Sequence, residues 1–171
     1  CLKENNDHDF RVSLTPETSK KLIKKNINVY VEEDCGIKSG FSNDDYSTVG
    51  VEILKTQESL IDKSDILLSI NPLDLDFSSI SKKATSKIFI GNFNFNNLVP
   101  DKRFTFLALE KIPRIARAQS MDILSSQASI AGYQASLLAA NHLNKYFPML
   151  ITAAGTISPA KILVVGAGVA G

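Results

Sequence analysis

Two groups of residues in this sequence have the types and spacing to grip a ligand. The first is Gly166-Ala-Gly168-Val-Ala-Gly171, which follows the apolar run Ile162, Leu163, Val164, Val165. A GxGxxG spacing at the end of a strand is where a dinucleotide-binding turn needs it. Gly166 permits the tight turn, Gly168 lets backbone approach a pyrophosphate, and Gly171 lets the next helix pack closely on the strand. The second group is Arg114, Arg117, Gln119, Asp122, Ser125 and Ser126, just after a strand ending at Leu109. Spacings of three and four put Gln119, Asp122 and Ser126 on one face of an opening helix, with Ser125 beside it. A guanidinium, an amide, a carboxylate and a hydroxyl can together hold an amide or a sugar by hydrogen bonds. Spacing alone leaves a second reading open, a capped helix start with an Arg–Asp pair.

The elements that must position these groups follow from local signals. Thr15-Pro16-Glu17 is a helix start, with Thr15 as cap, Pro16 in the first turn and an acid at the positive end of the dipole. That helix runs to about Lys25, with Leu22 and Ile23 inward and Lys20, Lys21, Lys24 and Lys25 on a solvated face. Ile27, Val29 and Val31 alternate as a strand. Ser42 to Asp45 forms a capping box with Asp in place of Glu, before a short helix ended by Gly50. Then come a strand at 51–54, a helix at 57–63, a strand at 66–70 stopped by Asn71-Pro72, and a short helix near 78–82. A strand at 87–90, a loop-like stretch at 91–100 and a strand at 104–109 complete the first domain. Strands alternating with helices predict a mostly parallel, Rossmann- or flavodoxin-like α/β sheet covered on both faces. A long helix from about Ala118 to Tyr146 and a turn-rich connection at 151–159 lead to a second βα unit at Lys161. The expected division is therefore 1–117, 118–160 and 161–171, with a cleft between domains as a usual place for a ligand. The helix and the acidic residue that complete a dinucleotide site would fall after residue 171, and the chain opens on Cys1, so it reads as a fragment cut at both ends.

Composition excludes other classes. A net charge of +1 gives no case for nucleic acid as a partner. Cys1 and Cys35 lack metal-ligand spacing and read as reduced thiols, and Cys35 has no partner pattern for a nucleophile. The stretch between Asp122 and Lys145 carries no formal charge, but Ser, Gln and Asn interrupt it too often for lipid. It reads as a helix buried in protein or at a subunit contact, and Ala131, Gly132, Ala135, Ala139 and Ala140 would let another element come close. No signal peptide is visible.

Five segments carry a family resemblance: Phe10-Arg-Val-Ser-Leu-Thr-Pro16, Pro113-Arg-Ile-Ala-Arg-Ala-Gln-Ser-Met-Asp122, Ala131-Gly-Tyr133, Ile151-Thr-Ala-Ala-Gly155 and Pro159 to Gly171. In this order they closely resemble the NAD(H)-binding domain I of the proton-translocating NAD(P) transhydrogenases, at the start of the alpha subunit. The resemblance implies direct hydride transfer between NAD(H) on this domain and NADP(H) on a separate domain III, coupled to proton movement through a membrane domain. It implies a homodimer on the cytoplasmic side of the inner membrane, with no transmembrane segment here. By the same resemblance Arg114, Gln119, Asp122 and Ser125 position the dihydronicotinamide and its ribose. Ile115, Ala116, Ser120 and Met121 line that site, and Val169 offers backbone to the pyrophosphate. Hydride transfer between two nicotinamide rings moves no proton at the reacting carbons, so a site of positioners without His or Lys is the expected inventory. The fragment alone is expected to be catalytically silent.

Alanine dehydrogenase is a related alternative with the same architecture and a similar Arg-Val-x-x-Thr-Pro opening. The resemblance implies that it needs a Lys near the end of the strand at 66–70 and a His after the following strand. Here those places hold Ser69 and Gly91-Asn-Phe-Asn-Phe95, without the proton shuttle that imine chemistry requires. A non-catalytic dimerisation or docking module is the other alternative. Arg11 reads as a structural ion-pair partner, His8 as exposed, and His142 as a satisfied interior or interface group.

Overall fold

The computed structural model describes residues 1–71, 86–93 and 102–171. They fall into two compact units, Cys1–Lys111 and Ile112–Gly171. The expected short helix near 78–82 and most of the loop at 91–100 lie outside the described residues.

The first unit follows the expected alternation. Helix α1 (Pro16–Ile23) starts where Thr15 accepts the Thr18 N–H at 3.2 Å, and the Thr18 hydroxyl accepts the Thr15 N–H at 2.9 Å. Pro16 and Ser19 are its buried face, and Lys20, Lys21, Lys24 and Lys25 stay exposed. Strand β1 (Tyr30–Glu32) is shorter than the alternation of apolar residues suggested, because Ile27 remains about half exposed in the turn after α1. Helix α2 (Asn43–Thr48) has the expected capping box, Ser42 with Asp45, and Gly50 turns the chain at φ +92°. Strand β2 (Glu52–Leu54), helix α3 (Gln57–Lys63), and strands β3 (Ile66–Leu68), β4 (Ile88–Gly91) and β5 (Thr105–Ala108) follow.

All strand pairs in this unit are parallel: β1 with β2, β3 with β4, and β4 with β5. The extended segment Cys1–Leu2 joins the two sets. The Cys1 nitrogen donates to the Tyr30 carbonyl at 2.8 Å and Glu32 N–H to the Cys1 carbonyl at 3.1 Å, while Leu2 N–H donates to the Leu68 carbonyl at 3.2 Å. The resulting spatial order is β2, β1, Cys1–Leu2, β3, β4, β5. Counting Cys1–Leu2 as the first extended piece, that is the order 3-2-1-4-5-6 of a doubly wound sheet.

Side chains alternate across this sheet and build a core on each face. Leu2, Leu60, Ile61, Leu67, Phe89, Phe93 and Phe104 form one cluster, with α3 supplying Leu60 and Ile61. Cys1, Leu14, Val29, Val31, Cys35, Tyr46 and Val51 form the other, with Leu22 and Ile23 of α1 and Tyr46 of α2 packed on it. Both thiols are buried and unbridged, and burial pushes the Cys35 thiol up from its ordinary value, as suits a core residue rather than a nucleophile.

The second unit departs from expectation in three places. The long helix α4 spans Ile123–His142 and is preceded by a 3-10 turn at Ala116–Met121. It does not begin near Ala118, because Asp122 adopts an extended conformation (φ −77°, ψ 96°) and caps it. The connection at 151–159 holds an antiparallel hairpin, β6 (Leu150–Thr152) with β7 (Gly155–Ile157), whose turn at Ala153-Ala154 releases into Gly155 at φ +127°. Residues 162–165 form no strand, and Leu163 and Val165 are 86% and 92% exposed. A strand exists only when a neighbour accepts its ladder of hydrogen bonds, and among the described residues none lies beside this run. None of the α4 residues is buried by the rest of this chain. Its hydroxyls are satisfied on the helix itself, Ser126 donating to Ile123 and Ser136 to Gly132 carbonyls at 3.0 and 3.1 Å. His142 at its end is exposed.

Candidate functional site

Both residue groups singled out for chemistry lie in the second unit. The chain leaves Pro113 in a tight turn, with Ile115 N–H donating to the Pro113 carbonyl at 2.9 Å, and winds into the 3-10 turn that ends at Met121. Ala118 faces inward and anchors this turn, while Arg114, Ile115, Ala116, Gln119, Ser120 and Met121 are exposed. A 3-10 turn has three residues per turn, so its side chains do not fall on the stripe of the α-helix that follows. Gln119, Asp122 and Ser126 therefore do not share one helix face: Gln119 sits in the 3-10 turn, Asp122 at the junction and Ser126 in α4.

Asp122 is the hinge of this arrangement. One carboxylate oxygen accepts the N–H groups of Leu124 and Ser125 at 3.0 and 3.2 Å, and the other accepts the Ser125 hydroxyl at 2.7 Å. These bonds cap the first turn of α4 and fix the carboxylate. The Ser125 hydroxyl and N–H, followed by Leu124 N–H and the charge of Arg114, hold Asp122 below the usual carboxylate range. Asp122 is thus a permanent anion at neutral pH, unsuited to carrying a proton. The helix-cap reading and the ligand-grip reading are compatible, because capping orients the carboxylate and leaves lone-pair directions on the oxygen that faces Ser125. From Ile112 to Ser126 the only ionisable side chains are Arg114, Arg117 and Asp122. None of these types exchanges a proton near neutral pH in this setting.

The glycine loop has the backbone its spacing requires at two positions. Gly166 adopts φ +102°, a left-handed conformation that L residues rarely take, and a Cβ at Gly168 would meet nothing within 4 Å. The backbone at Gly168 is therefore open to close approach by a ligand. Gly171 has a different neighbour from the expected one: a Cβ there would overlap the Gly166 carbonyl oxygen, so the loop closes on itself. A Cβ at Gly132, midway along α4, would overlap the Ala170 carbonyl oxygen. The close approach expected of the small residues in α4 thus occurs at Gly132, and what approaches is the glycine loop. Sequence reading placed Gly132 among small residues without naming that partner, since contacts 38 positions apart have no local signature.

Residues of the first unit have structural roles. Arg11 closes a bidentate pair on Asp9, with Nε and Nη2 at 2.9 and 2.6 Å from its oxygens, and His8 is exposed. Arg11 pairs structurally, as its reading expected. A cavity of about 370 Å³ lined by Ile23, Ile27, Tyr30, Gly50 and Glu52 among others lies where the chain enters β1 and β2. Ligands of parallel sheets gather at the opposite, carboxyl ends of the strands, so this cavity is not the candidate site. Among the described residues no group of His, Cys, Asp and Glu could hold a metal ion, and no helix is long and apolar enough to cross a membrane.

Comparison with known proteins places this arrangement. Residues 1–131 match the family model of the alanine dehydrogenase/PNT N-terminal domain. The chain belongs to this family. Residues 135–171 match the model of its C-terminal domain, so the junction between the two matches falls inside α4. The chain is 40% identical over 179 residues to an NAD(P) transhydrogenase alpha-subunit polypeptide of Rickettsia prowazekii, covering 100% of this chain and 47% of that protein. A transhydrogenase crystal structure from Sinorhizobium meliloti is similar with a TM-score of 0.83 at 35% identity, covering 99% of this chain and 52% of that one. Alanine dehydrogenase of Methanococcus maripaludis is more distant, 26% identical over 182 residues, covering 99% of this chain and 47% of the relative. The chain spans about half the length of these relatives. The α/β fold and the transhydrogenase alpha-subunit resemblance read from the sequence hold. This member of the alanine dehydrogenase/PNT family is thereby related to NAD-linked oxidoreductases and to a subunit of a multi-subunit enzyme.

Proposed function

We propose that this chain is the NAD(H)-binding part of a proton-translocating transhydrogenase, in which hydride passes directly between NAD(H) here and NADP(H) on a partner domain III. The observation that carries this reading is identity across the whole chain with a transhydrogenase alpha subunit, well above that with alanine dehydrogenase. The segment from Ile112 to Ser126, which has no residue to shuttle protons, supports it.

The residues present fit a dinucleotide. Gly166 and Gly168 supply an open, left-handed turn, and Val169 and Gly171 complete the backbone that would face a pyrophosphate. Arg114, Gln119, Asp122 and Ser125 offer donors and acceptors to a carboxamide and a ribose. The exposed apolar side chains of Ile115 and Met121, with Ala116 and Ser120, would cover the ring. The nicotinamide supplies the hydride chemistry when bound. The chain's own contribution is orientation, and alignment of two reactants is worth several orders of magnitude in rate. Asp122 is kept ionised and tied to Ser125, so it orients without transferring a proton.

In this reading residues 1–117 are the first domain of the NAD(H)-binding part, 118–160 its connection and 161–171 the start of the second nucleotide-binding domain. The whole protein acts as a homodimer, docked on domain III and the membrane domain at the cytoplasmic face of the inner membrane. The 171-residue chain by itself turns over nothing. The decisive experiment extends the chain to the full length of its relatives and measures NADH binding and reduction of an NADP analogue with domain III present. Transfer between the two nucleotides supports the proposal. Oxidation of NADH with pyruvate and ammonia, without NADP, overturns it in favour of an amino-acid dehydrogenase.

A further inference from the structure

The first unit has a site of its own. Its strand order puts a topological switch point between Cys1–Leu2 and β3, the place where doubly wound sheets open a crevice at the carboxyl ends of their strands. In this chain the crevice is filled from within. Glu4, two residues beyond Leu2, is only 7% exposed. One of its carboxylate oxygens accepts the Ile70 N–H at 2.6 Å, and the other accepts the Asn71 N–H at 3.0 Å and the Asn71 side-chain amide at 3.1 Å. The Ser69 hydroxyl lies 3.4 Å from Glu4 but directs its one proton to the Asn71 carbonyl at 2.8 Å.

Two successive backbone N–H groups, one to each oxygen of a single carboxylate, make an anion cradle. The surrounding charge agrees with that. The Asn71 amide also donates to Asp9 at 3.1 Å, and Asp9 chelates Arg11, whose guanidinium feels the Glu4 charge. A carboxylate seated here is compensated by donors rather than left alone in the core.

We propose that this crevice is a small-carboxylate site that the chain fills with its own Glu4. The cradle contacts only the carboxylate group of that residue. A free monocarboxylate such as formate or acetate therefore takes the same seat once the glutamate side chain is shortened. While Glu4 is in place, the carboxyl-end crevice of the first unit is closed to small anions. This is independent of the nucleotide reading, which concerns residues of the second unit.

Glu4→Ala tests it, with amide-resolved hydrogen exchange and thermal unfolding of the full-length protein. Sodium formate is titrated against sodium chloride at matched ionic strength. The unaltered protein is expected to protect the Ile70 and Asn71 amides and to ignore formate. The variant is expected to exchange both at least about tenfold faster, the size of a lost charge-assisted hydrogen bond. Formate, and not chloride, restores protection and melting temperature in a saturable way. Equal effects of formate and chloride, or no recovery, overturn the proposal, as does lack of protection in the unaltered protein. Should Glu4→Ala not fold, Glu4→Gln decides: a carboxamide has one acceptor oxygen, so one of the two amides loses protection and the other keeps it. Equal protection of both overturns the cradle.

Discussion

Replacing Gly132 by Ala sets two effects of opposite sign against each other. Gly132 lies in the middle of α4, where glycine costs about 1 kcal/mol of helix stability relative to alanine. On that ground alone the substitution stabilises the protein. The added Cβ, however, would overlap the Ala170 carbonyl oxygen, a backbone atom that no rotamer change can move aside. The glycine loop must shift by about an ångström to reach van der Waals distance, and a displacement of that size at a positioning element costs on the order of a hundredfold in rate. The loop is exposed throughout, so its movement costs little in global stability. The expected outcome is an unchanged or slightly raised melting temperature together with NADH affinity and nucleotide-to-nucleotide hydride transfer reduced about ten- to a hundredfold. Calorimetric titration with NADH and stopped-flow transfer assays on the full-length protein measure both. If affinity and transfer stay at the unaltered level while stability rises, the contact between α4 and the glycine loop does not shape the nucleotide site.

Three other perturbations have distinct expected results. Lys87 is buried and donates to the Ser64 and Asp62 carbonyls at 2.7 and 3.2 Å, closing the end of α3. Asp62 is exposed and can turn to water, whereas Ser64 is buried, so Lys87→Met leaves one buried carbonyl unpaired and costs about 1–3 kcal/mol in denaturant unfolding with NADH affinity unchanged. Tyr46 is fully buried and donates its hydroxyl to the Leu14 carbonyl at 2.8 Å. Burial, with the nearby Cys35, pushes this phenol well above its ordinary value, and Tyr46→Phe is expected to destabilise by about 1–2 kcal/mol at every pH below that range. A result within error of zero would show that water reaches Leu14. Asp122 titrates below the ordinary carboxylate range in the folded chain, so its contribution to the start of α4 is present above the unfolded value and disappears as pH falls through the folded one. Hydrogen exchange of the Leu124 and Ser125 amides as a function of acid pH should show that loss, and Asp122→Asn should abolish its pH dependence.

Much of this protein was legible in its sequence because it is written in local chemistry. The Thr15-Pro16 start, the Ser42–Asp45 capping box and the helix at Gln57–Lys63 depend on groups within four residues of one another, and each stands where its signal put it. The strands at β2 to β5 stand within a few residues of their apolar runs. The glycine loop was recognisable for the same reason, since a left-handed turn at Gly166 is a property of that residue. Other features needed the tertiary structure, because they are decided by partners far away in the chain. Asp122 could have been an interior helix residue or a cap, and the bonds it accepts from Leu124 and Ser125 made it a cap and moved the start of α4 to Ile123. The run at 162–165 has every propensity of a strand and forms none, because a ladder takes two strands and propensity describes only one. The insertion of Cys1–Leu2 between β1 and β3, the seating of Glu4 on Ile70 and Asn71, and the approach of Ala170 to Gly132 join positions 29 to 67 residues apart. No pattern within a single segment encodes such pairs, since their energy exists only after the chain has folded around them.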